Sequence, residues 1–292
     1  MTIEFKWNAH DDPFIDNSVA DGKTTFVRDT NRAMDTLGQI TGYAAAQLGS
    51  QFRCHLYSVL VIRDRARLLR WDRTGTIVSE SFEYNEDNHL ADFFTRYSCA
   101  SPEMRGHDAS VSQPNHTESE AAAKTLGLPC TTEFVQLEVP EGAGIRTFVV
   151  PVPVAPAYTP PGRATRAFKA YDVSSRKIVF LKDTWRIDLP EIYPEGRTYR
   201  ILKEASVRNI PSCLAAGDIR GDDYHATKTH IYSNRSWACS DHVHFTPHRH
   251  YRLALDVFGL PLTEFQSSHQ LVSAIRDSLI GKSTFTSEHF LS

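Results

Sequence analysis

The chain has 292 residues, 41% hydrophobic and 23% charged, with a formal net charge of -3: an ordinary soluble globular balance, enough for one large domain or two smaller ones. Mixed charges without a basic patch argue against DNA or RNA as a partner, and no apolar run approaches the roughly 20 residues of a membrane-spanning helix. The start, MTIEFKWNAHDDPFIDN, lacks the basic and apolar regions of a secretion signal, so an intracellular protein, cytoplasmic or nuclear, is expected.

In chain order, Ala33, Leu37, Ile40, Ala44 and Leu48 recur at helical spacing behind the candidate N-caps Asp29, Thr30 and Asn31 and predict a helix. HLYSVLVIR, ARLLRWDR and TIVSESFEY follow as three strand-like segments parted by Asp64-Arg65 and Thr74-Gly75, an antiparallel meander. Trp71 is expected to face its core rather than a ligand. LADFFTRYSCASPEMRG holds a short helix, and QPNHTESEAAAK reads as a surface loop running into a helix. Val135, Leu137 and Val139 alternate with polar residues, a turn follows at Glu141 to Gly144, and IRTFVVPVPV is the next strand. The proline-rich PVPVAPAYTPPG breaks strand pairing, and the domain boundary is placed at or just before it, giving units 1–145 and 146–292.

Beyond that boundary FKAYDV and KIVFLKDTW form a hairpin about Ser174-Ser175-Arg176, and LPEIYPEGRTYRILKEA is a helix with prolines at its start. RNIPSCLAAGDI and YRLALDVFG are strands on either side of a polar, histidine-rich insert, and Leu271, Ala274, Ile275 and Leu279 mark one face of a last helix. Cys54, Cys99, Cys130, Cys213 and Cys239 are odd in number and scattered, so no disulfide framework, zinc ribbon or other role is assigned to them.

Two constellations carry chemistry. In IVFLKDTW a lysine ends an apolar strand, where burial without a partner costs several kcal/mol. Lys182 could be the fixed cation that a nucleotide's phosphates need, oriented by Glu195 of the next helix, or it could cap a strand at the solvent edge with Glu195 exposed; pattern alone leaves both open. His242-x-His244 and His248-x-His250 beside Asp241 have a spacing that can chelate zinc or copper, and the plainer reading is a set of solvated loop histidines with no metal.

LLRWDRTGTIVSESFEY, FFTRYSCASPEMRGHD, GRATRAFKAYDVSSRKIVFLKDTWR, YPEGRTYRILKEA and HYRLALDVFGLPLTEF with AIRDSLI resemble, in that order, the fungal-type protein kinase family. The resemblance implies an α+β chain: an N-terminal domain of helix plus antiparallel meander, then a kinase-like N-lobe with a five-stranded antiparallel sheet and one main helix, and the first C-lobe helices. It also implies an ATP site, with magnesium, in which Lys182 meets the phosphates, Glu195 pairs it, Gly162 belongs to the phosphate loop, and Asp256 and Phe258 lie in the hinge that holds adenine. The sequence departs from the family where Ala164 and Ala167 replace loop glycines, and where neither H-R-D-x-x-x-x-N nor D-F-G occurs; His248-Arg249-His250 and Asp256-Val257-Phe258-Gly259 read as hinge-strand sequence. No catalytic residue is therefore assigned, and a chain cut short before the catalytic loop is expected to be inactive in phosphoryl transfer to protein Ser or Thr. The alternatives are a non-catalytic interaction protein or pseudokinase remnant with a protein partner, and, third, a metal-binding histidine loop.

Overall fold

Helix α1 (Asn31–Ser50) starts at Thr30, whose extended backbone and hydroxyl, accepting from the Ala33 amide at 3.4 Å, make the N-cap. In this computed structural model, which describes residues 1–16, 26–153, 159–219, 223–235, 237–238 and 245–289 (side chains to 281), the helix buries Ile40, Ala44 and Leu48. They pack on strands β2 (Leu56–Ile62) and β3 (Arg65–Trp71) through Leu56, Leu60, Leu69 and Trp71. Trp71 is a core residue, as expected, with its indole N–H donating to Ser58 Oγ at 2.7 Å.

The meander is completed by β4 (Thr76–Val78) and the short β5 (Phe82–Glu83), both antiparallel to β3. The sequence does not announce β1 (Thr2–Lys6), which joins β2 in parallel and makes this five-stranded sheet mixed. Helix α2 (His89–Cys99) covers the other face of the sheet with Leu90, Phe93 and Phe94 against Val59, Val61 and Ala66. In α3 (His116–Leu126) a reciprocal capping box of Asn115 and Glu118 starts the helix, and Gly127, at φ 70°, ends it. Most of the stretch read as a loop is therefore helix.

The second sheet is antiparallel, with the order β11-β12-β10-β9-β8-β7-β6. Its strands are β6 (Val111–Ser112), β7 (Phe134–Glu141), β8 (Gly144–Pro151), β9 (Arg166–Asp172), β10 (Lys177–Ile187), β11 (Cys213–Asp218) and β12 (His248–Leu255). Strands β8 to β12, with helix α4 (Glu195–Glu204), supply the five strands and main helix expected of the lobe, and β7 and β6 extend the sheet past β8. Residues 145 and 146 fall inside β8, which pairs along its length with β7 and through Phe148 and Val149 with β9.

The sheet curls until β11 meets β7. A Cβ on Gly217 would lie 2.8 Å from Pro140 Cβ, so the contact depends on the missing side chain. Val135, Leu137, Phe148, Leu181, Ala215 and Ala254 fill the inside of the curl. Helix α5 (Ser268–His289) follows β12 and leaves Val272, Ile275 and Leu279 exposed. No helix among the described residues is long and apolar enough to cross a membrane.

The two sheets are joined by polar contacts. Buried Asp72, after β3, accepts from the amides of Lys228 and Thr229 at 2.8 and 3.0 Å. The Arg166 guanidinium of β9 reaches the carbonyls of Leu48, Gly49 and Gln51 at 2.7, 3.0 and 2.9 Å, and Arg73 reaches Leu48 O at 3.1 Å. Two cations thus sit at the C-terminus of α1, where the helix dipole favours positive charge.

His55, just before β2, is buried with Nε2 donating to the Met104 carbonyl at 3.2 Å and with no hydrogen bond to Nδ1 among the described residues. Burial, helped by Arg70, lowers its pKa to about 4, so the fold holds the neutral ring. The unfolded ring titrates near pH 6.5, so this stability is complete above that pH and is lost as pH falls toward 4. From pH 7 to 5 the wild-type chain should lose about 2 kcal/mol more stability in urea denaturation than His55→Gln, which can keep the bond to Met104. Equal losses in the two proteins would contradict it.

Candidate functional site

Alternation along β10 sends Lys182 to one face of the sheet and Asp183 to the other, and each face builds a different polar site. On the Lys182 face, α4 packs through Tyr199 on Phe180, Tyr251, Leu253 and Leu255. Where the helix starts is set by Gly196: its amide donates to the Tyr251 hydroxyl at 2.7 Å, and a Cβ there would lie 2.5 Å from Ala216 Cβ. Burial raises the Tyr251 hydroxyl pKa to about 12, so it stays a neutral acceptor. Pro194 precedes the helix without a side-chain cap, and Glu195 is its first residue, where a carboxylate suits the dipole.

This placement brings Glu195 Oε2 to 2.5 Å from Lys182 Nζ. The side chains keep 19% and 35% of their exposure, enough for a ligand from solvent to reach the ammonium. Of the two readings left open by sequence, the geometry has the pair formed, not a lysine at a free strand end.

The other expected site residues stand apart from this pair. Gly162 has φ 108°, a conformation that favours glycine, and donates its amide to Arg73 O at 2.8 Å. Arg163 O accepts from the Trp185 amide at 2.8 Å, and Ala164 takes φ 42°, so the end of this loop is pinned to β10 with an alanine in a left-handed conformation. Asp256 forms a reciprocal clasp with Ser212: its amide donates to Ser212 O at 3.0 Å and its carboxylate accepts from the Ser212 amide at 2.7 Å. Phe258 is exposed. Among the described residues none of the three bonds to Lys182 or Glu195.

On the opposite face lies a buried polar cluster that sequence reasoning missed. Arg252, with no exposed surface, donates to Asp183 Oδ1 at 2.9 Å, Asp108 Oδ2 at 2.8 Å, and the Ser110 hydroxyl and Glu138 carbonyl at 2.9 Å each. Burial alone would raise both carboxyls, but Arg252 and His250 beside Asp108, and His250 and Arg252 beside Asp183, hold them below the usual carboxylate range. Burial pushes His225 down to about 4, keeping its ring neutral, and burial together with Asp108 drives the Cys54 thiol up.

The histidine pattern in the sequence is only partly reflected here. His250 belongs to this cluster, whereas His248 turns its Nδ1 to Thr246 O at 2.8 Å. His242, His244 and Asp241 lie outside the described residues. The partner of His250 is His225, from the 3-10 turn Asp223–His225, which no spacing in the sequence singles out.

A family model described as fungal protein kinase matches residues 22–291 of the chain. No curated protein and no solved structure matches it.

Proposed function

Since the chain belongs to the fungal protein kinase family, we propose that it binds the phosphates of a nucleotide on the α4 face of the second sheet, with Lys182 as the cation. The observation that supports this reading is the Lys182–Glu195 ion pair at 2.5 Å, built by a central strand and the helix packed on it. A lysine on a strand has a fixed base, and the glutamate fixes its free end, so the ammonium stands ready for a phosphate oxygen with less side-chain entropy left to lose. ATP with magnesium is the nucleotide that the family implies. A magnesium ion would add charge neutralisation between the phosphates, while the residues of this chain bind and orient them.

The same reading makes this chain a binding module without phosphoryl transfer of its own. Positioning and charge neutralisation supply nearly all the catalysis in this chemistry, and the chain carries neither H-R-D nor D-F-G to provide a base and metal ligands. A second reading, a non-catalytic interaction module, is favoured by the apolar side chains that α5 and the segment before it expose, among them Leu260, Val272, Ile275 and Leu279.

One titration separates the readings. Millimolar Mg-ATP should raise the melting temperature of the wild-type chain, as any ligand of the folded state does, and Lys182→Ala should weaken binding at least about tenfold. Glu195→Gln should weaken it less, because the ammonium remains. A wild-type melt that does not respond to ATP would leave the interaction module as the better account.

A further inference from the structure

Cys54 Sγ, a carboxylate oxygen of Asp108, and one ring nitrogen each of His225 and His250 lie within 4.8 Å of one another, all in buried residues. The closest approaches resemble the edges of a coordination tetrahedron. Ligand bonds of 2.0–2.3 Å give nitrogen–nitrogen, nitrogen–oxygen and sulfur–nitrogen edges of about 3.3, 3.4 and 3.6 Å. The corresponding distances are 3.2 Å between the Nδ1 atoms of His225 and His250, 3.6 Å from His250 Nδ1 to Asp108 Oδ2, and 3.5 Å from Cys54 Sγ to His225 Nδ1.

The donors are also aimed. His250 stacks on Trp185 with ring centroids 4.9 Å apart, and its Nε2 sits 2.6 Å from Asp183 Oδ1. Nε2 therefore carries a hydrogen, and Nδ1 is the ring nitrogen that faces the cluster. This is the carboxylate–histidine arrangement that orients metal ligands elsewhere in proteins. Asp108 has its other lone pairs engaged: Oδ1 accepts from the Ser110 amide and hydroxyl and Oδ2 from Arg252, so one position remains.

We propose that Cys54, Asp108, His225 and His250 form a four-ligand zinc site. A thiolate, a carboxylate and two imidazoles match a borderline divalent ion, and the two anionic ligands balance its charge. With four protein ligands and no open position the site is structural. Its ligands come from the segment before β2, the turn before β6, the 3-10 turn at residues 223–225 and β12, so the ion fastens the first part of the chain to the concave face of the second sheet. The proposal does not depend on nucleotide binding, because Lys182 points to the other face.

The test is made on the full chain with zinc(II) and cobalt(II) alone as probes. Mass spectrometric metal analysis of desalted protein should give one zinc per chain. Cobalt(II) in its place should show the strong visible bands of a four-coordinate ion and a thiolate-to-cobalt charge-transfer band. Cys54→Ser should abolish the charge-transfer band, and a variant with Cys99, Cys130, Cys213 and Cys239 all replaced by serine should keep it. His225→Gln should weaken zinc at least about tenfold. His248→Gln, on the same strand but turned away, should keep full stoichiometry. The proposal is overturned if a wild-type chain with intact circular dichroism takes up neither ion, if the charge-transfer band survives Cys54→Ser, or if the four-serine variant folds and lacks it.

Discussion

Replacing Arg252 with alanine is expected to lower the unfolding free energy by about 3–5 kcal/mol, measured by urea denaturation at pH 7 in the presence of a chelator. The size follows from what the guanidinium leaves behind. Asp108 and Asp183 are both buried, and Arg252 is the cation that touches both, at 2.8 and 2.9 Å. Truncation takes the shared guanidinium from two interior carboxylates, leaving Asp108 with the Ser110 amide and hydroxyl and Asp183 with His250, and it removes a donor from the Ser110 hydroxyl and the Glu138 carbonyl. Two further variants check that this is the cause. Arg252→Lys keeps the charge but cannot span both carboxylates, so its loss should be smaller than that of alanine. Arg252→Met with Asp108→Asn removes a charge of each sign and should recover part of the loss. A change under about 1 kcal/mol in Arg252→Ala would mean that other groups, such as Arg166, already neutralise the pair.

The stretch IVFLKDTW shows how much the sequence could disclose. Its alternation already separates Lys182 from Asp183, and the glutamate that meets Lys182 lies only 13 residues on, inside a recognisable pattern. The partners of Asp183 are invisible at that range: Arg252 is 69 positions away and itself binds Asp108 across 144 positions. The sequence assigns Cys54 no role because the ring that its thiol meets, His225, is 171 residues further on. The same limit applies to the fold. Helix α1 is written in local periodicity and α3 in its capping box, so both can be read in a window of a dozen residues. Parallel pairing of β1 with β2 and the extension of the second sheet by β6 and β7 are choices of long-range register, and TIEFK or VQLE would alternate in the same way beside any neighbour. The histidine run misled for a related reason. Two residues of spacing place His248 and His250 on one face but do not say what each ring meets.

Gly106→Ala should be about as damaging as Arg252→Ala, by a route that involves no charge. Gly106 has φ 91°, and a Cβ built there would lie 1.9 Å from the carbonyl oxygen of His55 and 2.7 Å from its carbonyl carbon. The obstacle is backbone, so no rotamer change relieves it. The loop cannot simply back away either: the Gly106 carbonyl accepts from the Cys54 amide at 2.9 Å, and its amide donates to Glu103 O at 2.8 Å. Backbone strain of about 1–3 kcal/mol and overpacking of similar size together predict a loss of about 3 kcal/mol or more. Gly127→Ala is the control, since that glycine also has a positive φ, 70°, but nothing lies within 4 Å of its missing Cβ, so only the strain of about 1 kcal/mol should appear. Equal losses in the two variants would show that the loop yields to the clash at little cost. A larger loss at Gly106 should also disturb Asp108, two residues on, because the shift that accommodates the methyl moves the carboxylate that Arg252 holds.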